Sequence, residues 1–334
     1  MKKQIIAAAV AASVSAVALA DISITGSAKY EYLYTDTPAT ANSSKNESNT
    51  EMKLAINGKK GDTGVFIGVE LDGSDSADNG AEKLDVEDMY LTTKIGDINV
   101  KAGNWASGTT ALMGEVDNGP RSHGKIDLST TIGSVKVYAG NGGGSDSSAA
   151  SGASAINENM YAGAEFKIGG QNVHVKHVSD TEDHFGISGE LSGLKYRVET
   201  KSVDTANSDV TFAEVGTTIG GMGVSYAMID ADAGNLVDEN DSTIFAREMG
   251  LLTGTTDDGQ QQVTVSTSVD GNSVTFKAGT IDNAFGAGLD QDYTQINVAR
   301  PLASGATATI TYTDYDSSST VQTETFEIDL SVSF

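Results

Sequence analysis

The sequence contains no cysteine, 3 prolines and a single tryptophan among 334 residues. Without thiols there is neither a disulfide framework nor a thiolate metal site, so an exported chain of this length must hold together by pairing and burial. Cationic residues are scarce too: 21 Lys and Arg stand against 46 Asp and Glu, a formal charge of -25. A chain so acidic does not seek nucleic acid through phosphate contacts. Acidity of this degree suits disorder only where β-branched and aromatic residues lack regular spacing, and here they are regularly spaced. The charge is therefore assigned to loops and to one face of the strands.

Long apolar runs are also missing. Outside the first twenty residues no window has the length or hydropathy of a membrane helix, mean hydropathy is -0.20, and 38 glycines are present; a helical membrane protein is excluded. The one apolar stretch is N-terminal. Lys2 and Lys3, the run Ile5 to Leu19 and the ending Ala18-Leu19-Ala20 have the form of a cleaved secretory signal over residues 1–20. The mature chain is then expected to begin at Asp21, and the loss of Lys2 and Lys3 takes the charge from -25 to -27.

What is present is a period of two. At the C-terminus Phe326, Ile328, Leu330, Val332 and Phe334 alternate with Glu327, Asp329, Ser331 and Ser333, so one side of that strand is apolar and the other is not. The same alternation runs through Ile22 and Ile24 to Tyr30, Tyr32 and Tyr34, and through Val65, Ile67, Val69 and Leu71. In the segment around Leu194, Tyr196 and Val198 the opposite row is Lys195, Arg197, Glu199 and Lys201. A soluble sandwich could not bury four such charges unpaired, whereas a wet interior tolerates them.

Connectors alternate in kind. Tight ones fall at Gly58 to Asp62, Gly96-Asp97, Gly133-Ser134, Gly169-Gly170, Gly193, Gly220-Gly221, Asp270-Gly271 and Leu302 to Gly305. Long polar ones fall between them, at Thr35 to Ser48, Asp72 to Glu82, Ala106 to Gly119, Asn141 to Asn157, Ala231 to Gly259 and Asp282 to Asp290. Short turns on one rim and long loops on the other define a transmembrane antiparallel β-barrel. The segments predict an all-β barrel of 16 to 18 strands over residues 21–334, the larger number being the direct count, and a barrel of that size encloses a channel. Tyr30, Tyr34, Tyr90, Tyr226, Tyr312 and Phe334 are candidates for its interfacial aromatic rings.

Two stretches carry a resemblance. Met89 to Trp105, MYLTTKIGDINVKAGNW, resembles the fourth and fifth strands of the trimeric Gram-negative general porins, and the alternating last strand ending in Phe334 resembles the assembly signal of outer-membrane proteins. Only these two stretches are specific; the middle strands match in rhythm alone. The resemblance implies passive diffusion of small hydrophilic solutes and ions, residence in outer-membrane lipid, recognition of Phe334 by the barrel-insertion machinery, and a homotrimer. It also implies an inward-folded constriction loop over Ala106 to Gly119, carrying Met113, Glu115 and Asp117, with a basic wall opposite. Parity along the strands then places Lys53, Lys101, Arg121 and Lys125 on that wall, with Lys195 and Arg197 in a second basic row beside His174, Lys176 and Lys201. That second row is either an anion track or lumen solvation. Where the porins enter the loop with Gly-Arg, this chain has Gly103-Asn104, a wall position without its cation, and the expectation is a cation-preferring pore.

Other motifs are weaker. His174 and His177 point to opposite faces of a strand and cannot share a metal, and His184 beside Asp183 is an isolated pair in a predicted loop. Two Ser-x-x-Lys matches, at Ser122 and Ser192, open no helix, and no Gly-x-Ser-x-Gly, Walker or His-Glu-x-x-His motif occurs. The acidic runs at Asp72 to Asp78 and Asp238 to Asp241 do not follow calcium-loop spacing. No enzyme activity, cofactor or metal is expected. The rivals to general diffusion are a substrate-selective channel for sugars or anions and, in another class, a surface β-rich adhesin or layer protein.

Overall fold

The computed structural model describes residues 21–36, 44–72, 83–105, 122–141, 160–179, 182–203, 209–231, 259–284, 289–317 and 323–334. They form eighteen strands: β1 (Asp21–Asp36), β2 (Lys45–Lys60), β3 (Thr63–Asp72), β4 (Lys83–Ile95), β5 (Ile98–Trp105), β6 (Ser122–Ile132), β7 (Val135–Asn141), β8 (Met160–Ile168), β9 (Gln171–Val178), β10 (Glu182–Leu191), β11 (Leu194–Val203), β12 (Val210–Ile219), β13 (Met222–Ala231), β14 (Gly259–Val269), β15 (Asn272–Ala284), β16 (Leu289–Pro301), β17 (Thr307–Ser317) and β18 (Thr323–Ser333). Each strand pairs antiparallel with its neighbours in sequence, and β1 also pairs with β18, so the sheet closes on itself as a barrel. At the seam Gly26 N–H donates to Phe334 O and Phe334 N–H donates to Gly26 O, each at 2.9 Å. The segment 1–20 lies outside the described residues. Strand β2 starts at Lys45, inside the loop expected up to Ser48, because Lys45 to Ser48 stay in register with β1 as far as Thr35.

Every second connection is a turn of one residue pair or a little more, and the sequence chooses its type. Ser192 and Gly193 both take positive φ, 53° and 84°, the backbone of the mirror-image turn whose twist suits a hairpin. A side chain is tolerated in the first position but strained, and glycine in the second is free of that strain. The residue before many of these turns is a large aliphatic that stays exposed: Ile95, Ile132, Ile168, Leu191 and Ile219. Among the described residues the tight-turn rim is therefore collared by aliphatics, not by the aromatic ring expected at both rims.

The two faces of the barrel differ as alternation requires. Cross-strand partners share a face. Ile328, Ile310, Val298 and Val274 are in register across four strands, as are Phe326, Tyr312, Ile296 and Phe276, and Ile296, Ile310 and Phe276 are exposed. This is the exterior, an apolar surface with no packing partner in the chain. The opposite rows carry Lys, Glu, Gln, Asn and Thr and point into the bore.

Inside, tyrosines lie over glycines of the next strand and reach the strand beyond. Tyr138 on β7 crosses Gly163 to meet His174 Nε2 on β9 at 2.6 Å. Tyr161 crosses Gly140 to donate to Asp127 at 2.9 Å, and Tyr293 crosses Gly279 to donate to Gln262 at 2.7 Å. A Cβ at position 163 would collide with the Tyr138 ring and with Val175 O. Gly163→Ala is therefore expected to cost about 1–3 kcal/mol, the range for forcing atoms into a packed site, measured by urea unfolding of the lipid-reconstituted protein.

Candidate functional site

The bore is the site, and its lining is not uniform around the ring. From β18 through β3 the inward row is acidic: Lys29 lies within 3.8 Å of Glu31, Glu327 and Asp329, and Lys53 lies 3.3 Å from Glu51 and 3.7 Å from Glu70. Those three acids on β1 and β18 also approach one another closely enough to hold a cation, but the Lys29 ammonium already serves them. From β5 through β12 cations predominate inward: Lys101, Lys125, Lys136, Lys176, Lys195 and Arg197, with Lys136 paired to Glu165 at 2.9 Å and Arg197 Nε to Glu214 at 2.7 Å. From β13 through β17 the row is mostly amide and hydroxyl, as in the bonds Gln295 to Thr313 at 3.0 Å and Asn297 to Thr311 at 2.8 Å. In a closed ring of eighteen strands β1 stands opposite β10, so the acidic and basic sectors face each other across the bore. A field directed across the channel is the consequence.

Burial is graded along the axis as well. From β6 through β17 inward side chains toward the long connections are enclosed, with Lys125, Glu199, Phe212, Gln262, Tyr293 and Tyr315 all buried, whereas Glu31, Asn49 and Glu70 on β1 to β3 are half-buried. Toward the tight turns Lys195 is exposed and Arg197, Ser225 and Thr264 are half-buried. Recesses lie in the half nearer the tight turns, of about 680 Å³ beside β3 to β6 and about 720 Å³ beside Lys195, Arg197 and Glu214, with another of about 650 Å³ beside Lys53, Phe66 and Gly68. Alternation alone makes Lys195 to Lys201 a single wet row. The structure divides it, with Glu199 and Lys201 in the enclosed half.

Of the residues singled out from sequence, Lys53, Lys101, Lys125, Lys195 and Arg197 face inward. Lys125 is buried and donates to Trp105 O at 2.8 Å. Asn104 departs from its expected wall position. It is in register with the exposed Met89, and its side-chain oxygen accepts from Gly124 N–H at 3.1 Å, where the β5–β6 register shifts. Met113, Glu115, Asp117 and Arg121 lie outside the described residues. Phe334 sits at the β1–β18 seam and is exposed.

An inward aromatic cluster, Phe66, Tyr90 and Trp105, is not visible in the sequence pattern. Tyr90, expected in an interfacial ring, instead pairs with Gly103 and Phe66 inside the bore. Its ring stacks on Phe66 at 4.9 Å and meets Trp105 edge-on at 6.1 Å. Lys101 Nζ lies 4.0 Å from the Tyr90 centroid and 4.3 Å from that of Trp105, so the cation is held between two ring faces. Parity was the available signal, since Tyr90 alternates with the apolar Met89 and Leu91. His184 belongs to β10 and is buried inward, while Asp183 turns outward to His177 Nδ1 at 2.7 Å. The expected His184–Asp183 pair does not form, and His174 and His177 do occupy opposite faces.

A closed eighteen-stranded antiparallel barrel with a polar bore and an apolar coat is the architecture of outer-membrane porins. No protein-family model and no curated protein matches the chain, but solved structures do. Pseudomonas aeruginosa OccK2 (OpdF), solved in complex with glucuronate, superposes with a TM-score of 0.67 at 12% identity over 94% of this chain and 98% of that one. Acinetobacter baumannii OccAB4 gives 0.67 at 10% identity over 95% and 99%, and a BenF-like porin from Pseudomonas fluorescens Pf-5 gives 0.64 at 12% over 94% and 98%. The likeness fixes the fold. It supports a porin barrel without supporting the general trimeric family that the sequence motifs had named, and without supporting a preference for cations.

Proposed function

We propose that the chain is a substrate-selective outer-membrane channel through which small hydrophilic solutes pass by passive diffusion. The observation that carries this reading is the bore itself, whose acidic and basic walls face each other inside a cylinder with an apolar exterior. A closed barrel leaves no unpaired backbone edge in hydrocarbon, so the exterior suits lipid and the interior suits water. The secreted-adhesin reading loses its ground, because a soluble β-rich protein has no use for exposed rows such as Phe276, Ile296 and Ile310. The same account takes residues 1–20 as a cleaved signal, Phe334 as the mark read by the insertion machinery, and a homotrimer as the assembled state.

Selectivity follows from the transverse arrangement of charge. A solute with separated positive and negative ends aligns across the bore, its anionic end toward Lys195 and Arg197 and its polar or cationic end toward the acidic sector. The glucuronate complex of OccK2 adds weight to sugar acids as a class to try first. General diffusion with a cation preference rests on Glu115 and Asp117, outside the described residues, and is the competing outcome of one recording. In planar bilayers the purified protein is expected to form discrete conducting steps in KCl, with current interrupted by millimolar glucuronate. Arg197→Gln should shorten those interruptions and move the reversal potential toward cation selectivity, because Glu214 then loses its partner at 2.7 Å. Conduction without any block by sugar acids, together with a reversal potential set by cations, would favour general diffusion.

A further inference from the structure

We infer that the Phe66–Tyr90 stack, in the half of the bore nearer the tight turns, is a subsite for pyranose rings, recognised by the ring face and not by charge; the inference rests on the channel reading above. An aromatic in a hydrated bore leaves apolar surface in water at about 25 cal/mol per Å², so its placement there calls for an occupant or a packing partner. Tyr90 and Trp105 have one, since they hold Lys101 between them. Phe66 stacks on Tyr90 through one face, with an interplanar angle of 17°. It has no hydroxyl to satisfy, and the positions before and after it on the inward row of β3 are Gly64 and Gly68. The ring is only half-buried.

The surroundings say what chemistry fits. Phe66 and Tyr90 line the recess of about 680 Å³; Tyr90 and Lys101 close one side of the Phe66 ring, and Asn57, Ser23, Lys59 and Asp21 border its open side. That is one apolar plate bordered by an amide, a hydroxyl, a cation and a carboxylate, the composition of a site that takes a ligand apolar on its face and polar around its edge. A pyranose has that form: axial C–H groups cover the open face of Phe66, and equatorial hydroxyls reach Asn57 and Ser23, donate to Asp21 and accept from Lys59. An inorganic ion has no use for the plate. An aromatic acid would stack but has no hydroxyls for Asn57 and Ser23 and would bring its carboxylate toward Asp21. An acyclic polyol offers the hydroxyls without the rigid face.

The test uses the full-length protein in planar bilayers in KCl, with glucose, glucuronate, sorbitol and benzoate added in turn at millimolar concentration. Glucose and glucuronate are expected to interrupt the current and sorbitol is not. Phe66→Leu, which keeps apolar bulk and removes the ring, should weaken the effect of both sugars about tenfold, a loss of ~1.4 kcal/mol, while leaving KCl conductance within about twofold. Phe66→Tyr should restore it. Equal block by glucose and sorbitol, block by benzoate alone, or sugar block untouched by Phe66→Leu would each overturn the subsite while the channel stands. A protein that folds but conducts nothing would overturn the channel reading and the subsite with it.

Discussion

Ile296→Arg is expected to destabilise the folded barrel in a bilayer by about 2–4 kcal/mol, the cost measured for a cation on the lipid face near mid-membrane. Ile296 lies in the middle of β16, in register with Phe276 and Tyr312, and its side chain is exposed on the apolar exterior. Its neighbour Asn297 points the other way and donates to Thr311 at 2.8 Å. Asn297→Arg should therefore cost about 1 kcal/mol or less, the worth of one hydrogen bond between neutral side chains. The contrast between adjacent residues, read by urea titration of the protein refolded into phospholipid vesicles, depends on the facing of the rows alone. Similar losses at the two positions would mean that both faces meet the same medium.

Removal of Phe334 is expected to act on closure and to be felt during assembly. The terminal residue supplies both backbone hydrogen bonds to Gly26 at the seam, and its ring packs over the place where Gly26 has no side chain. Losing it leaves a donor and an acceptor unpaired at the junction of β1 and β18, each costing several kcal/mol where water is excluded. Phe334→Ala keeps the two hydrogen bonds and loses only the ring. Heat-resistant folded protein in the outer-membrane fraction should fall slightly for Phe334→Ala and steeply, to about a tenth or less, for the deletion; a factor of ten corresponds to ~1.4 kcal/mol. Equal loss in the two variants would assign the effect to recognition of the ring instead of closure.

Strand number and facing were legible in the sequence because both follow from local rules. Alternation over Phe326 to Phe334 and over Leu194 to Lys201 fixes which residues share a face, and tight turns at pairs such as Gly169-Gly170 mark where each hairpin reverses. What escaped depends on cross-strand register, which alternation does not supply. The bulge between Ile67 and Val69 and the register shift after Gly103 decide where Glu87, Asp88 and Trp105 fall. Tyr90 became a lumen residue by parity that was visible, but its aromatic identity drew it toward the membrane interface. His184 was read as a loop residue because the β9–β10 connection is short, unlike the long polar loops that served as the guide. Separation of the bore into acidic, basic and neutral sectors is a property of which strands are neighbours around a closed ring, and no single segment contains it.

The central claim is that polar rows line a hollow open to water while apolar rows face lipid, and the absence of cysteine makes it directly measurable. Single cysteines at Ser225 and Thr275, on the inward rows of β13 and β15, and at Val224 and Phe276 on the outward rows should be treated with a charged, water-soluble thiol reagent after reconstitution in a planar bilayer. Ser225→Cys and Thr275→Cys are predicted to react within seconds and to lower single-channel conductance stepwise, while Val224→Cys and Phe276→Cys remain unreacted and conduct as before. Reaction at Val224→Cys and Phe276→Cys, with protection of Ser225→Cys and Thr275→Cys, would contradict the account.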